Sequence, residues 1–315
     1  MRIMVIGATG VVGRQLVPML VGAGHQVSAA TTTASKTGGL AAAGAEPLVL
    51  DVLDAAATES AVIAARPEVV VYQATALSWI GTNMRKFDRY FAVTNRLRTE
   101  GTANLLAAVR KIGGARVIAQ SFGAFGFPPG GPLAQDESVG FTTKPPAAMA
   151  GIFAAVRRLE ELVTATPDGV VLRYGGLYGP GTSLERNGSQ SVAIRRRLMP
   201  IVGAGGGVVS YLHVEDAATA TVAALDSGQG VYNIVDDEPV AFRDWLPFVA
   251  DVLGARPPRH LPVWLARIVA GDAAVYLMTR ARGGSNARAK AELGWKPTYP
   301  DWRAGFRAAL SDDGA

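Results

Sequence analysis

The chain has 315 residues, 49% of them hydrophobic, no cysteine and a formal net charge of +5. Such a chain can bury about three quarters of its unfolded surface around one large core or two joined ones, as expected of a soluble cytoplasmic enzyme, while the missing thiols exclude disulfide scaffolding, thiolate catalysis and cysteine-based metal sites. The positive charges are scattered among Asp and Glu, with no helix-turn-helix, zinc-knuckle or RNP-like aromatic pattern, so neither a nucleic acid nor a metal is an expected partner.

Arg2 to Ile6 reads as a short apolar strand that runs into Gly7-Ala8-Thr9-Gly10-Val11-Val12-Gly13 and then a helical stretch, Gln15 to Leu20. A tight turn from strand to helix aims free backbone N–H groups and the positive helix end at a phosphate. Without a Cβ, Gly10 lets a pyrophosphate approach and Gly13 lets the helix pack on the strand. Gly7, Thr9, Gly10, Val11, Val12 and Gly13 are therefore the expected dinucleotide cradle. The opening superficially imitates a signal peptide, but the glycine fingerprint and its helical continuation argue against cleavage.

Gln26 to Ala30, Pro47 to Leu50, Val69 to Tyr72, Arg116 to Gln120 and Gly169 to Arg173 are short Val/Ile/Leu-rich runs bounded by Gly, Pro or Asp, the signature of buried parallel strands. Helical segments lie between them, notably Ala55 to Ala65, Asn83 to Ile112 and Ala150 to Thr164. The alternation predicts an α/β fold with a doubly wound parallel sheet and a ligand at the carboxyl ends of the strands, where Gly7, Asp51, Gln73, Ser121 and Tyr174 fall. Asp54 is the expected N-cap of the helix beginning at Ala55.

The second strand bears on cofactor type, because a carboxylate there holds a free ribose whereas a 2′-phosphate needs donors. No Asp or Glu occurs between Gln26 and Ala45, and Thr31, Thr32, Thr33, Ser35 and Lys36 offer hydroxyls and a cation. NADP(H) is favoured over NAD(H), with Thr31, Thr32 and Lys36 as contacts.

After Arg173 the rhythm breaks into Gly- and Pro-rich loops, which mark a smaller, discontinuous substrate lobe. The expected division is a dinucleotide-binding domain of residues 1–175 and 208–240, and a substrate lobe of residues 176–207 and 241–315. Ser210 to His213 and Val231 to Val235 are expected to return to the sheet. Arg195-Arg196-Arg197 reads first as a solvated helix face and second as a contact to an anionic substrate. Leu261 to Met278 is interrupted by Pro262, Arg267 and Asp272, too broken to cross a bilayer and better suited to a buried or subunit-facing helix.

The G-x-x-G-x-x-G spacing resembles the short-chain dehydrogenase/reductase superfamily, and Thr9-Gly10 is similar to its extended branch of nucleotide-sugar epimerases and dehydratases. Further resemblances follow in order: Asp51-Val52-Leu53-Asp54, Gln73-Ala74-Thr75-Ala76, Gly101-Thr102-Ala103-Asn104, Gln120-Ser121, Arg173-Tyr174, Tyr178-Gly179-Pro180-Gly181, His213-Val214-Glu215-Asp216, Tyr232-Asn233 and Leu293-Gly294-Trp295-Lys296-Pro297. The resemblance implies a Rossmann domain, an adenine contact at Asp51 beside Val52, a nicotinamide-ribose wall at Gln73, Ala74, Thr75 and Ala76, and Tyr174 as a further cofactor contact. The superfamily often carries Arg where this chain has Thr32. His213 reads as a strand-end anchor and Trp295 as a packing plug.

Family chemistry uses a Tyr that exchanges the substrate proton and a Lys four residues later on the same helix face. One register places Ile152 and Val156 at these positions, the other Phe153 and Arg157, and Arg98 replaces the family's Asn. Ser121 remains as a hydrogen-bond donor. Tyr178, Tyr174, Tyr72, Lys144, His213, Arg98 or a water held by Ser121 are the candidate proton donors, and Ser121, Tyr178 and Arg98 are taken as the catalytic set. Trp79, Phe122, Phe125, Phe127 and Phe153 suit an apolar or aromatic ligand, with Phe125 and Phe127 as lid candidates.

The leading expectation is an NAD(P)H-dependent reductase of a carbonyl or conjugated ring in an apolar small molecule. The alternative is a non-catalytic NADP(H) sensor, and third a sugar-nucleotide epimerase or dehydratase. The paired long helices offer a homodimer seam.

Overall fold

The computed structural model describes residues 1–77 and 84–311, so Trp79 and Asn83 lie outside the described residues. Arg2–Ile6 (β1), Gln26–Thr31 (β2), Glu46–Val49 (β3), Val69–Tyr72 (β4) and Arg116–Phe122 (β5) join Gly169–Tyr174 and Gly230–Ile234 in one seven-stranded sheet. Its order from one edge is Gly230–Ile234, Gly169–Tyr174, β5, β4, β1, β2, β3, and every pairing is parallel. All four residues of β4 are buried, as a central strand covered on both faces requires.

Helices cover the two faces. On one, Leu16, Val17 and Leu20 of α1 (Val11–Gly22) pack against Val5, Ile118 and Leu172. On the other, Val62, Leu105, Leu106, Leu159 and Val163 close over Met4, Val70 and Val117. Helix α2 is the short Thr37–Ala42. Asp54 caps α3 (Ala55–Ala65) by accepting from Ala57 N at 3.0 Å, as its position predicts.

The expected long helix from Asn83 to Ile112 is interrupted. It comprises a short turn at Met84–Lys86, α4 (Phe87–Arg96), a π-helical turn at Leu97–Gly101, and α5 (Thr102–Lys111). The cause lies on β4: Tyr72 Oη donates to the Leu97 carbonyl at 2.7 Å, and a Cβ at Gly101 would lie 2.6 Å from that hydroxyl. A tyrosine pressed into the helix thus sets the wider turn, a feature that recurs at functional sites. Helix α6 starts at Ala147, after Pro146, and runs to Thr164.

Ser210 to His213 does not return to the central sheet. After Ala134–Gln135 (β6) and Gly169–Tyr174 (β7), the chain bends at Gly175 into Gly176–Tyr178 (β8), and Tyr211–His213 pairs in parallel with β8. Gly175 N still bonds the Ile234 carbonyl whereas Gly176 N bonds that of Ser210, so the bend hands the ladder to a separate two-stranded sheet. Gly230–Ile234 does join the central sheet.

A third core unites Tyr178, Tyr211, Trp245, Leu246, Trp302 and Phe306. The Leu261 to Met278 stretch resolves into helices Val263–Val269 and Asp272–Arg280, parted at Gly271 with φ +90°. Only Ala266 of the first is buried, and Trp264 is 64% exposed, so the expected buried or subunit-facing helix is two helices, the first of them largely at the surface. No helix among the described residues is long and apolar enough to cross a membrane.

Candidate active site

The loop after β1 is shaped by close approaches that only glycine permits. Gly7 has φ +87°, and a Cβ there would meet the Gln73 carbonyl at 2.8 Å. At Gly13 a Cβ would lie 2.5 Å from the carbonyl oxygens of Gly7 and Ala8, so α1 is seated directly on the loop. Gly10 is exposed and forms the N-cap of α1, and Val11 is half-buried. The N–H groups of Val11 and Val12 open the helix and have no intrahelical acceptor. Val12 turns its side chain into the core. A cradle that admits no side chain, with free N–H groups at the end of a 12-residue helix, fits a pyrophosphate.

The neighbouring loops converge on this cradle. Thr9 Oγ1 and Thr31 Oγ1 are 3.0 Å apart, joining the β1 and β2 ends. Thr31 is buried, while Thr32, Thr33 and Lys36 are exposed beyond it. Asp51 is exposed and accepts from Leu53 N at 2.9 Å, and the carbonyl of buried Val52 accepts from Asn104 Nδ2 at 3.0 Å. Gln73 is buried, bonds the Ile6 carbonyl through its N–H at 2.8 Å, and leads into half-buried Ala74 and exposed Thr75.

Tyr174 is not placed at this surface. Its hydroxyl receives Gln73 Nε2 at 2.9 Å, contacts Thr221 Oγ1 and lies 3.3 Å from the Ala217 carbonyl; burial pushes its pKa up to about 12. The phenol is aimed at the core because β7 carries it on the face covered by helix Val214–Ala223. It is a strut beneath the site and not a cofactor contact.

Ser121, at the carboxyl end of β5, is buried and donates to Glu160 Oε1 at 2.7 Å. Arg173 grips the same carboxylate with Nε at 2.8 Å and a terminal nitrogen at 2.7 Å. The roles of Glu160 and Arg173 escaped the sequence reading, although Arg173 is the one charged residue in the buried strand Gly169–Tyr174. A charge in such a strand calls for a partner.

Of the other candidates, Tyr178 is fully buried, stacks on Phe306 with ring centroids 4.2 Å apart and has no hydrogen-bond partner among the described residues. Burial, then Asp236 and Asp216, push its pKa far up. A phenol sealed in the third core cannot reach a ligand, so its catalytic assignment is corrected to a packing role. Tyr72 Oη is committed to the π-turn, and Lys144 lies exposed on a loop. His213 caps the following helix through Nδ1, and burial lowers its pKa. Trp295 is buried and donates to Thr219 Oγ1 at 3.1 Å. Both act as the expected anchor and plug.

Helix α6 contains neither Tyr nor Lys. Ile152, Phe153 and Val156 are buried with Phe87, Phe91, Phe141 and Met149, and Phe122, Phe125 and Leu77 border this cluster. Arg157 instead reaches the Thr142 carbonyl at 3.3 Å. Phe127 is completely buried, 6.0 Å from the Phe141 ring, and is no lid. Phe125 is half-buried against Phe122 at 4.5 Å. Arg98 projects from the π-turn with its ring-facing guanidinium 5.9 Å from Phe91.

The model of the NAD dependent epimerase/dehydratase family matches residues 3–235. The chain belongs to this family. A 3-diazoavenalumate denitrifying reductase from a Streptomyces species is 44% identical over 308 residues, covering 97% of this chain and 99% of the relative. A 4-hydroxy-2-methyl-3-oxo-4-farnesyl-3,4-dihydroquinoline-1-oxide ketoreductase from Stigmatella aurantiaca is 30% identical, covering 94% and 92% respectively. Among solved structures, a UDP-glucose 4-epimerase from Thermotoga maritima has a TM-score of 0.77 at 21% identity, covering 98% of this family member and 97% of the epimerase. A human epimerase family protein solved with NADPH gives 0.73 at 19%, covering 99% and 100%. These structures establish the fold, and membership of the NAD dependent family together with the reductase relatives supports an oxidoreductase with a nicotinamide cofactor.

Proposed function

We propose that the protein is an NADP(H)-dependent reductase of a conjugated aromatic small molecule, and that its acceptor is an aryl diazo compound. The observation that carries this reading is an intact dinucleotide cradle in a fold whose helix α6 has neither Tyr nor Lys for a proton relay. Gly7 to Gly13, with Thr32, Lys36 and Asp51 on the adenosine side, would hold the cofactor, which would supply hydride. Thr32 and Lys36 can donate to a 2′-phosphate, and no carboxylate between Gln26 and Ala45 opposes it.

Reduction of a ketone needs a proton as well as a hydride, and the nearby side chains are poorly suited to give one. An aryl diazonium ion and a hydride together contain every atom of the arene and dinitrogen, so the balance requires no proton from the protein. Phe122 and Phe125, half-buried at the border of the Ile152–Phe153 cluster, would hold the ring and exclude water, and Ser121, fixed by Glu160, would lie beneath the reacting end. The relative named for denitrifying reduction supports this choice over the carbonyl.

The test is NADPH oxidation with an aryl diazonium salt, with dinitrogen and the arene measured as products, beside a ketone and quinone panel. Consumption with the diazonium salt alone is the expected result. Tight NADPH binding with no acceptor consumed would instead favour the non-catalytic sensor.

A further inference from the structure

Arg98 is only 3% exposed, yet its guanidinium makes no hydrogen bond or ion pair with any described residue, and one terminal nitrogen is wholly enclosed without a partner. Glu160 is the carboxylate whose charge reaches it, and Tyr72 the other ionisable group. Both Glu160 oxygens are already engaged by Arg173 and Ser121. Glu137, the other carboxylate near Arg173, accepts from Asn233 N and feels Arg288 and Arg173 but not Arg98. One carboxylate therefore answers two buried guanidinium groups. Burial lowers the Arg98 pKa to about 10 against the opposing pull of Glu160, which leaves it charged at neutral pH.

The position of this cation is informative. It lies over Phe91, which packs in one cluster with Ile152, Phe153 and Val156. Val156 and Glu160 are one turn apart on the same face of α6. Arg98 stands on the π-turn that packs against α6, a kind of turn favoured at functional sites. An unpaired buried charge is costly to keep, and its surroundings are aromatic. A planar ring bearing an ionised oxygen would satisfy both, since a guanidinium pairs with oxygen anions through its N–H fork.

We propose that Arg98 binds an oxygen anion, carboxylate or phenolate, of an aromatic substrate and so selects anionic over neutral ligands. This rests on the reductase reading for the place of the substrate. A neutral analogue would leave the guanidinium desolvated and unpaired, which is how a polar site rejects a ligand lacking its partner.

The experiment titrates NADP⁺-saturated protein, under mildly alkaline conditions, with two matched pairs: cinnamate against methyl cinnamate, and para-nitrophenolate against para-nitroanisole. The expected result is a preference of roughly tenfold or more for the anion in at least one pair, and the pair that shows it identifies the oxygen. Arg98→Gln should abolish that preference, Arg98→Lys should retain part of it, and NADP⁺ affinity should be unchanged in both. Equal affinities within both pairs, no binding of any probe, or equal losses for anion and neutral probe in Arg98→Gln would overturn the proposal. If Arg98→Gln fails to bind NADP⁺, the wild-type comparison and Arg98→Lys decide. Failure of wild-type protein to bind NADP⁺ would sink the reductase reading instead.

Discussion

Ser121 Oγ donates to Glu160 Oε1 at 2.7 Å, and that hydrogen bond ties the one family-like hydroxyl of the site to a carboxylate already held by Arg173. The two partners are unequal in consequence. Ser121→Ala removes one hydrogen bond to a carboxylate that keeps Arg173, and should cost about 1.5–3 kcal/mol with NADPH affinity intact. Glu160→Ala leaves Arg173 buried without its anion and should cost about 3–5 kcal/mol. Urea unfolding of both variants measures the difference; equal losses would contradict this arrangement.

Gly13→Ala should abolish dinucleotide binding. Its Cβ would sit 2.5 Å from two backbone carbonyl oxygens, which cannot yield without moving the loop or α1. Gly39→Ala is the matched control, since nothing lies within 4 Å of a Cβ there and the residue is inside a helix. It should leave binding unchanged and raise stability by roughly 0.5–1 kcal/mol. NADPH fluorescence titration separates the two outcomes.

The sheet and cradle were legible because their signals are local. Val69 to Tyr72 is a continuous apolar run, and Gly7 to Gly13 has flanks of fixed type. The break in the long helix was not legible, because its cause, Tyr72 pressing on Leu97, joins residues 25 positions apart. Tyr174 and Tyr178 were misplaced for a related reason: sequence position puts them at strand ends, but only packing tells which way a side chain turns there. Glu160 and Ser121 are 39 positions apart, so their bond too exists only once the fold brings α6 over the end of β5.

Thr32→Asp should reverse the proposed preference for NADP(H). Thr32 is exposed just beyond β2, where a carboxylate accepts from a free ribose hydroxyl and repels a 2′-phosphate. NADPH affinity should fall by about tenfold or more while NADH affinity rises. Parallel titrations with the two cofactors report the ratio, and an unchanged ratio would remove Thr32 from the specificity pocket.

Asp236 is the clearest candidate for a pH-linked stability change. It is 1% exposed, and burial, then Asp237 and Glu238, raise its pKa well above the ordinary value against the smaller opposing pull of the Glu238 and Tyr211 backbone N–H groups. A folded pKa above the unfolded one means that this group's stabilising contribution is complete below the unfolded carboxyl range and is lost as pH rises through the folded value. Asp236→Asn keeps the shape without the charge. The variant should match the wild type in acid and exceed it by about 1–3 kcal/mol on the alkaline side of that transition, so the gap in urea midpoint should widen as pH rises. A gap that is constant with pH would mean that the carboxyl keeps one protonation state throughout, and a gap of opposite sign that the charge is paired in solution.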